Sequence, residues 1–471
     1  MASISQRSIE GSFKALPEGS ISQLTGPTSM RPCFDNIQNT LINTGREDAD
    51  RPVSFTTVFF IVLFATKPFV DLTWNFRLFA FGGRALNPLA IVGFCVCMIA
   101  GCLHFLQNGR KPIFNKRVIW IFLGLNLFHS SIAFSVHGRS VMYIMDGLTK
   151  LFAAYFIYFI GHRGIENDRD KLRIIGIIWI TTFLVGILSS IQYSMGNFAV
   201  ASSQGVERFA GLYNDPGGPS YNAIMSIVFG TLYLELCTRQ RQRIRLVAKI
   251  AFILTVLVTA LILKITLTKS ALLMLVVFLT MWIGLYKRKP YVIIPLMILC
   301  GYYIYTTSDE VQKRLAPEIA FLRADNYSME LARSMGTGRV ATWETVLTYY
   351  IDDFDLFERL FGSASTFGTH NQYISYLMQL GAVGLTAFLI ILLRFYGRLI
   401  YLYGKYKQPD VYMCIVLLTI FVVQGLTGAP FYYTTLLWYL MILLSVINIY
   451  SDKAISEASP WGNSAVFDSY L

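Results

Sequence analysis

The polar residues that could do chemistry are concentrated late in the chain, in a segment from Ser308 to Leu392. Its polar part, 308–369, separates two strongly apolar stretches and leads into His370, directly before the second of them. An imidazole at this position could act as a general base for a substrate hydroxyl, because its pKa lies near working pH. The alternative is a polar side chain that only lines the membrane interface. The segment is the predicted working part of the chain.

Arg208 is a second candidate, in the Gly- and Pro-containing segment 196–218. A helix is predicted to begin near Pro219, because proline is favourable in a first helical turn. An arginine beside a helix N-terminus suits a phosphate, since its planar fork pairs with phosphate oxygens and the helix N–H groups add positive potential. The alternative is an arginine that extends to the lipid headgroups.

Two further cations have an anion-binding interpretation and a structural one. Lys269 opens an apolar stretch five residues after Lys264, which lies near the end of the preceding stretch. Cations at adjacent helix ends could bind an anion or anchor both helices at the interface, and the anchor is favoured. Arg339 precedes Trp343 by four residues, so both lie on one face if the segment is helical. An amphipathic helix on the membrane surface also accounts for this pattern.

Asp146 and Lys150 lie four residues apart within one apolar stretch. Charged residues in hydrocarbon usually pair with one another or line a polar cavity. A structural ion pair is the favoured interpretation, and a cavity wall or proton path is the alternative.

The composition indicates a membrane protein. The chain has 471 residues, of which 54% are hydrophobic and only 14% charged, with a net charge of +12. Its basic residues fall in short clusters between apolar stretches, a pattern typical of the positive-inside rule and not of a nucleic-acid groove. The sequence contains no ligand spacing typical of a structural metal site, and neither a metal nor a cofactor is expected.

Apolar stretches near the length needed to cross a bilayer recur along the chain and predict an all-α polytopic protein with about twelve transmembrane helices. They lie at 53–72, 86–106, 118–136, 141–161, 173–195, 219–237, 247–265, 269–286, 290–307, 371–392, 410–429 and 433–450. Clusters of Lys and Arg fall in alternate loops, which predicts that both termini are cytoplasmic and that the loop 308–370 lies outside.

The same pattern divides the chain into three parts. Residues 1–52 are rich in Ser, Gly, Pro and charge and are predicted to be a disordered cytoplasmic tail. Residues 53–450 form the membrane domain, and 451–471 form a short cytoplasmic C-terminal tail.

Taken together, these residues resemble the bacterial O-antigen ligase and O-antigen polymerase family. The resemblance covers approximately 55–450 and rests on the order of its motifs and on a large outer loop late in the chain. The motifs are Arg208 with Gly211 and Asn214-Asp215-Pro216; Thr268-Lys269-Ser270; Gly338-Arg339 with Trp343; and Phe361-Gly362 followed by His370-Asn371-Gln372-Tyr373, Gly381 and Gly384. The family commonly has Ser-Arg where this chain has Lys269-Ser270. Lysine keeps the charge but loses the bidentate geometry.

The resemblance implies a GT-C-like fold whose large periplasmic loop contains short helices. It also implies an inverting, metal-independent membrane glycosyltransferase in the bacterial inner membrane. The donor would be an oligosaccharide on undecaprenyl pyrophosphate, and a chain-length regulator or export complex is a possible partner. His370 would be the catalytic base. The residues that would bind the pyrophosphate or glycan are Arg208, Lys269, Arg339, Asn214 and Asn371.

Several functions remain open at this level. Polymerisation of repeat units is favoured over ligation to a lipid A-core or other acceptor, because the outer loops other than 308–369 are short and offer little surface for a large fixed acceptor. A transporter or flippase of lipid-linked glycan belongs to a different class, and a structural subunit of an export complex is a third option. If the chain is an enzyme, Arg208, Lys269, Arg339 and His370 should converge on one outward cavity. If the chain is a transporter, a central polar path should reach both faces of the membrane.

Overall fold

A computed structural model gives the architecture. Most of 53–450 is described, as 53–72, 79–81, 84–86, 95–101, 113–135, 141–165, 167–196, 199–203, 206–213, 215–239, 246–291, 308–323, 329–363, 368–428 and 434–447, with a few isolated positions. The predicted tails, 1–52 and 451–471, lie outside the described residues. The protein is an all-α membrane protein, because apolar helices satisfy their own backbone hydrogen bonds where no water is available.

Thirteen labelled helices account for most of the described chain. They are α1 (Phe55–Leu72), α2 (Lys116–Ser135), α3 (Val141–Gly164), α4 (Asp168–Ser194), α5 (Gly217–Arg239), α6 (Leu246–Thr266), α7 (Lys269–Leu279), α8 (Asp309–Arg323), α9 (Met329–Asp352), α10 (Leu356–Phe361), α11 (Gln372–Tyr406), α12 (Pro409–Thr427) and α13 (Thr434–Val446). A π-helical segment, Thr280–Tyr286, continues α7.

Ten of the predicted spans coincide with described helices, and the other two, at 86–106 and 290–307, lie mostly outside the described residues. Among the described helices, five are long and apolar enough to cross a membrane. They are Asp168–Ser194, Leu246–Thr266, Lys269–Tyr286, Gln372–Tyr406 and Pro409–Thr427. The total of about twelve spans stays a prediction.

Two short antiparallel hairpins were not predicted from the sequence. Strands β1 (Phe79–Phe81) and β2 (Arg84–Leu86) form one, and β3 (Ala199–Ser203) and β4 (Val206–Phe209) form the other. Arg208 lies on β4, opposite Val200. The hairpin therefore fixes the backbone of a residue that the sequence placed in an irregular loop.

Helix α12 lies near the centre of the hydrophobic core. It packs against α5, α7, α11 and α13, and most of its side chains are buried. Aromatic residues fill the neighbouring space, with the rings of Phe229 on α5 and Tyr439 on α13 5.5 Å apart. Because α12 is enclosed along its length, its two ends are fixed points for the groups that bond to them.

A close approach of two glycines fixes the start of α11. Gly381 interrupts the helix with a φ of 66°, and Gly362 ends α10 with a φ of 85°. A Cβ on Gly362 would lie 2.1 Å from the carbonyl oxygen of Gln379, and one on Gly381 would lie 2.3 Å from the backbone of Leu360. Only glycine fits this contact, which packs α10 against the first turns of α11.

One end of the bundle collects the beginnings of α5, α7 and α11 and the ends of α6 and α12. The Thr268 hydroxyl, before α7, lies 3.2 Å from the carbonyl oxygen of Pro216, before α5. Asn371, before α11, donates to the carbonyl oxygen of Leu426 near the end of α12 at 3.2 Å. We call this the site end of the bundle.

Candidate functional site

Hydrogen bonds between α5, α7 and α12 build the floor of the site end. The Ser220 hydroxyl bonds the carbonyl oxygen of Pro216 at 2.7 Å and the hydroxyl of Thr268 at 3.1 Å. Tyr221 and Ser270 share a bond of 2.9 Å, and Gln424 donates to the Tyr221 hydroxyl at 2.6 Å. All of these side chains are buried. Two helix N-termini are therefore held side by side, with their positive dipole ends on the same side of the protein.

Arg208 reaches the site end from the β3–β4 hairpin. Its Nε atom is buried, and within the described chain the guanidinium makes no hydrogen bond or ion pair. Burial lowers the pKa of Arg208, Asp215 opposes this effect and Arg339 adds to it. A half-buried guanidinium without a bonded partner is unfavourable, which makes Arg208 a candidate for binding an anion.

Arg339 and Trp343 reach the same region from α9. The segment is helical, so Arg339 and Trp343 lie on one face of α9, as expected from their spacing. Each side chain donates a hydrogen bond to a backbone carbonyl at the site end. Arg339 donates to the carbonyl oxygen of Thr427, the last residue of α12. The indole of Trp343 donates to the carbonyl oxygen of Thr369 at 2.7 Å. These two bonds attach α9 to the end of α12 and to the segment directly before α11.

His370 lies at the start of α11, between Thr369 and the capping residue Asn371. Asn371 Oδ1 accepts from the amides of Tyr373 at 3.0 Å and Ile374 at 3.1 Å. The Asn371 side chain thus caps α11 and bonds α12, which makes it a positioning residue for its neighbour. His370 itself has a φ of 49°, an uncommon conformation for a non-glycine residue that is found at functional sites.

The imidazole of His370 is exposed, and among the described residues it makes no hydrogen bond. Partial desolvation lowers the pKa of His370, the positive charge of Arg339 lowers it further, and Asp215 opposes both effects. A lowered pKa keeps the imidazole neutral at pH 7, the form that can accept a proton.

Arg314, on α8, is a member of this site that the sequence did not single out. Its side chain is 8% exposed, and α8 packs against β4, the strand of Arg208. Burial and the charges of Arg208 and Arg339 lower the pKa of Arg314 to about 10, with Glu318 opposing them. The segment 308–369 contains several other basic residues, so nothing in the sequence marked this one. Only the folded position of α8 distinguishes it.

Lys269 lies within electrostatic range of Arg314 and Arg339 but is engaged with a carboxylate. Its Nζ atom is 2.6 Å from Glu318 Oε1, and each side chain of the pair is about a quarter exposed. The bond connects the start of α7 to α8. Neither sequence interpretation of Lys269 included this contact with α8.

The structure thus brings five of the six predicted site residues to one end of the bundle. They are Arg208, Lys269, Arg339 and His370, and Asn371, which bonds Leu426, is a fifth; charge effects also connect the first four to Asp215 and Arg314. Asn214 lies outside the described residues. The side chain of Asp146 is also outside them, so its pairing with Lys150 stays a prediction.

Within the described ranges, no group of three or more His, Cys, Asp or Glu side chains is arranged to hold a metal ion. The site instead gathers arginines, one imidazole and two helix N-termini, a set of groups that binds anions. No protein-family model matches the chain, and the comparison with curated proteins gives no significant match.

Proposed function

We propose that the site end binds the diphosphate of a polyprenyl-linked oligosaccharide and that the chain transfers the glycan to an acceptor hydroxyl. The observation that carries this proposal is the meeting of Arg208, Arg339 and His370, which come from segments far apart in the sequence. We assign the chain to the bacterial inner membrane, with about twelve spans, both termini cytoplasmic and the site end at the periplasmic face.

The arginines supply what the leaving group needs. Cleavage of the bond between the anomeric carbon and the diphosphate oxygen leaves negative charge on that oxygen. Arg208 and Arg339, together with the N-termini of α5 and α7, provide fixed positive charge for it. Because these groups are held by the protein before the reaction, little reorganisation is needed as the charge develops.

His370 supplies the other half of the reaction. The acceptor hydroxyl oxygen attacks the anomeric carbon as the diphosphate departs with the bonding electron pair, and the hydroxyl proton passes to the neutral imidazole. Attack opposite the leaving group inverts the configuration at the anomeric carbon. General-base catalysis of this kind contributes about 10²–10⁴-fold to the rate.

Polymerisation is the favoured form of this reaction, with a second lipid-linked repeat unit or growing chain as the acceptor. The outer segments that join the membrane helices, apart from 308–370, are short, which leaves little surface for a large fixed acceptor. Ligation to a lipid A-core is the alternative and uses the same donor site. A flippase would move the lipid-linked glycan without breaking its bond to the diphosphate.

The test is a reaction of purified full-length protein in nanodiscs with an undecaprenyl-diphosphate-linked oligosaccharide, with and without lipid A-core. A polymerase gives products of two or more repeat units from the donor alone, and a ligase gives product only with the lipid A-core. Transfer should fail in Arg208→Ala and His370→Ala. Movement of intact donor across the bilayer without release of undecaprenyl diphosphate would refute the proposal in favour of transport.

A further inference from the structure

The backbone on both sides of His370 is held by side-chain hydrogen bonds, although the imidazole itself is exposed. The Trp343 indole on α9 donates to the carbonyl oxygen of Thr369 at 2.7 Å. The Thr369 hydroxyl reaches across His370 to the backbone of Asn371. It donates to the Asn371 carbonyl oxygen at 3.0 Å and accepts from the Asn371 amide at 3.3 Å. The position of His370 therefore depends on bonds that its neighbours make.

The Thr369 hydroxyl has a third partner in the first turn of α11. It shares a hydrogen bond of 2.7 Å with the hydroxyl of Ser375. Because the single Thr369 hydroxyl proton is donated to Asn371, Ser375 is the donor in this bond. Thr369, Asn371 and Ser375 are all buried. Loss of the Thr369 hydroxyl would leave the Asn371 amide and the Ser375 hydroxyl without this acceptor, which is unfavourable in a buried place.

These bonds surround a residue in an uncommon backbone conformation. The φ of His370 is 49°, and such a conformation persists only where the surrounding structure holds it. The contacts of Thr369 and Asn371 thereby set the direction in which the imidazole leaves the backbone. Arg339 lies one turn before Trp343 on α9, so the same helix carries a site-end arginine and bonds the residue before His370.

We propose that Trp343 and Thr369 are positioning residues, which hold the imidazole of His370 towards the acceptor hydroxyl during glycan transfer. The inference rests on the proposed function. Neither side chain is assigned a contact with the donor, so both act through His370. A displaced base lowers the rate and leaves donor binding intact, and a misplacement of about 1 Å can cost on the order of 10²-fold in rate.

The test measures single-turnover transfer and affinity for undecaprenyl diphosphate with purified full-length protein in nanodiscs. Thr369→Val keeps the shape of the side chain and removes the hydroxyl, and Trp343→Phe removes the indole N–H. Each should lower the transfer rate about tenfold or more and leave the affinity unchanged. Thr369→Ser, which retains the hydroxyl, should restore most of the rate. A wild-type rate in Thr369→Val or Trp343→Phe would remove that residue from the positioning role.

Two matched controls remove similar hydrogen bonds elsewhere in the bundle. The Trp179 indole on α4 donates to the Thr255 hydroxyl at 3.1 Å, and the Thr259 hydroxyl on α6 donates to the carbonyl oxygen of Ala223 at 3.1 Å. Trp179→Phe and Thr259→Val should lower the melting temperature and leave the transfer rate per folded molecule unchanged. If the controls lose as much rate as the site variants, the losses reflect weakened packing, and the positioning role is overturned.

A double variant shows whether Thr369 acts through the imidazole. In the His370→Ala background, Thr369→Val should lower the residual transfer rate no further, because the group that it positions is already absent. A further drop would give Thr369 a role apart from His370 and overturn the inference. If His370→Ala itself transfers glycan at the wild-type rate, the proposed function fails. If His370→Ala is slow while Thr369→Val and Trp343→Phe transfer normally, only the positioning role fails.

Discussion

Two charged regions lie at the opposite ends of α12 and are built in opposite ways. At the helix start, Asp410 is fully buried, and its Oδ2 lies 2.7 Å from Nζ of Lys171 and 2.9 Å from the Tyr450 hydroxyl. At the helix end, Arg339 bonds a backbone carbonyl, with Arg208 and Arg314 nearby. With a rise of 1.5 Å per residue, about 25 Å separates the two ends.

The difference lies in whether the charges are compensated within the protein. Lys171 has an acid on each side, because Asp168 also lies 2.5 Å away. At the site end, the guanidinium of Arg208 makes no hydrogen bond or ion pair with another described residue. A buried cation that is paired with carboxylates holds helices together. A cation without a bonded partner lowers the stability of the protein, and binding of an anion restores it. The same helix thus connects a structural region to a region that we assign to function.

The largest expected effect is on activity at the site end. His370→Ala and Arg208→Ala should each lower the rate of glycan transfer by about 10²–10⁴-fold, because one removes the base and the other a cation at the leaving group. Their melting temperatures should equal or exceed that of the wild type, since neither side chain bonds another described residue. A large drop in melting temperature in either variant would erase the contrast between the two regions.

Substitution of Asp410 is expected to lower stability and to leave activity unchanged. Asp410→Ala leaves Lys171 buried beside a cavity and should cost about 3 kcal/mol of stability, near the lower limit for a broken buried pair because Asp168 remains. Glycan transfer per folded molecule should be unchanged. Asp168→Ala is the matched control, because Asp168 pairs with the same lysine but is 60% exposed. It should cost less than about 1 kcal/mol.

Stabilisation by bound undecaprenyl diphosphate should distinguish the two ends of α12. Undecaprenyl diphosphate at a hundredfold excess over its Kd should stabilise the protein by about 2.7 kcal/mol. The gain should disappear in Arg208→Ala and persist in Asp168→Ala, measured as the shift in melting temperature. Equal stabilisation of both variants would place the anion elsewhere.

The smallest expected effect is a shift in the pH dependence of kcat/KM for glycan transfer. Transfer should fall as pH decreases through the pKa of His370, since the protonated imidazole cannot accept a proton. Desolvation and then Arg339 lower the pKa of His370, and Asp215 raises it. Asp215→Asn should therefore move the acid limb of kcat/KM to lower pH. A shift of the acid limb to higher pH, or no shift, would contradict the effect of the Asp215 charge on the pKa of His370.

The sequence predicted ten of the described helices, because each of those is an apolar stretch with polar ends. It missed the hairpin β3–β4, since strands of four or five residues give little periodicity. It named Lys269 and His370 because each lies at or just before the start of an apolar stretch, and Arg339 because it follows a glycine. It named Arg208 because it lies in a Gly- and Pro-containing segment that leads into a helix.

Other features of the site depend on tertiary contacts that no local pattern encodes. Arg314 resembles its basic neighbours in sequence and differs only in burial. Lys269 was predicted as a cation at a helix end, but its partner, Glu318, comes from α8, about 50 residues further along the chain. The paired glycines Gly362 and Gly381 are explained by a backbone contact between two helices.

Single-turnover transfer with a radiolabelled undecaprenyl-diphosphate-linked oligosaccharide tests the central claim most directly, because it measures donor binding and bond cleavage in one sample. We predict that the wild type releases undecaprenyl diphosphate and that His370→Ala binds the donor but does not cleave it. We also predict that Arg208→Ala binds the donor poorly. Cleavage by His370→Ala at the wild-type rate, or donor binding by Arg208→Ala with wild-type affinity, would contradict the account.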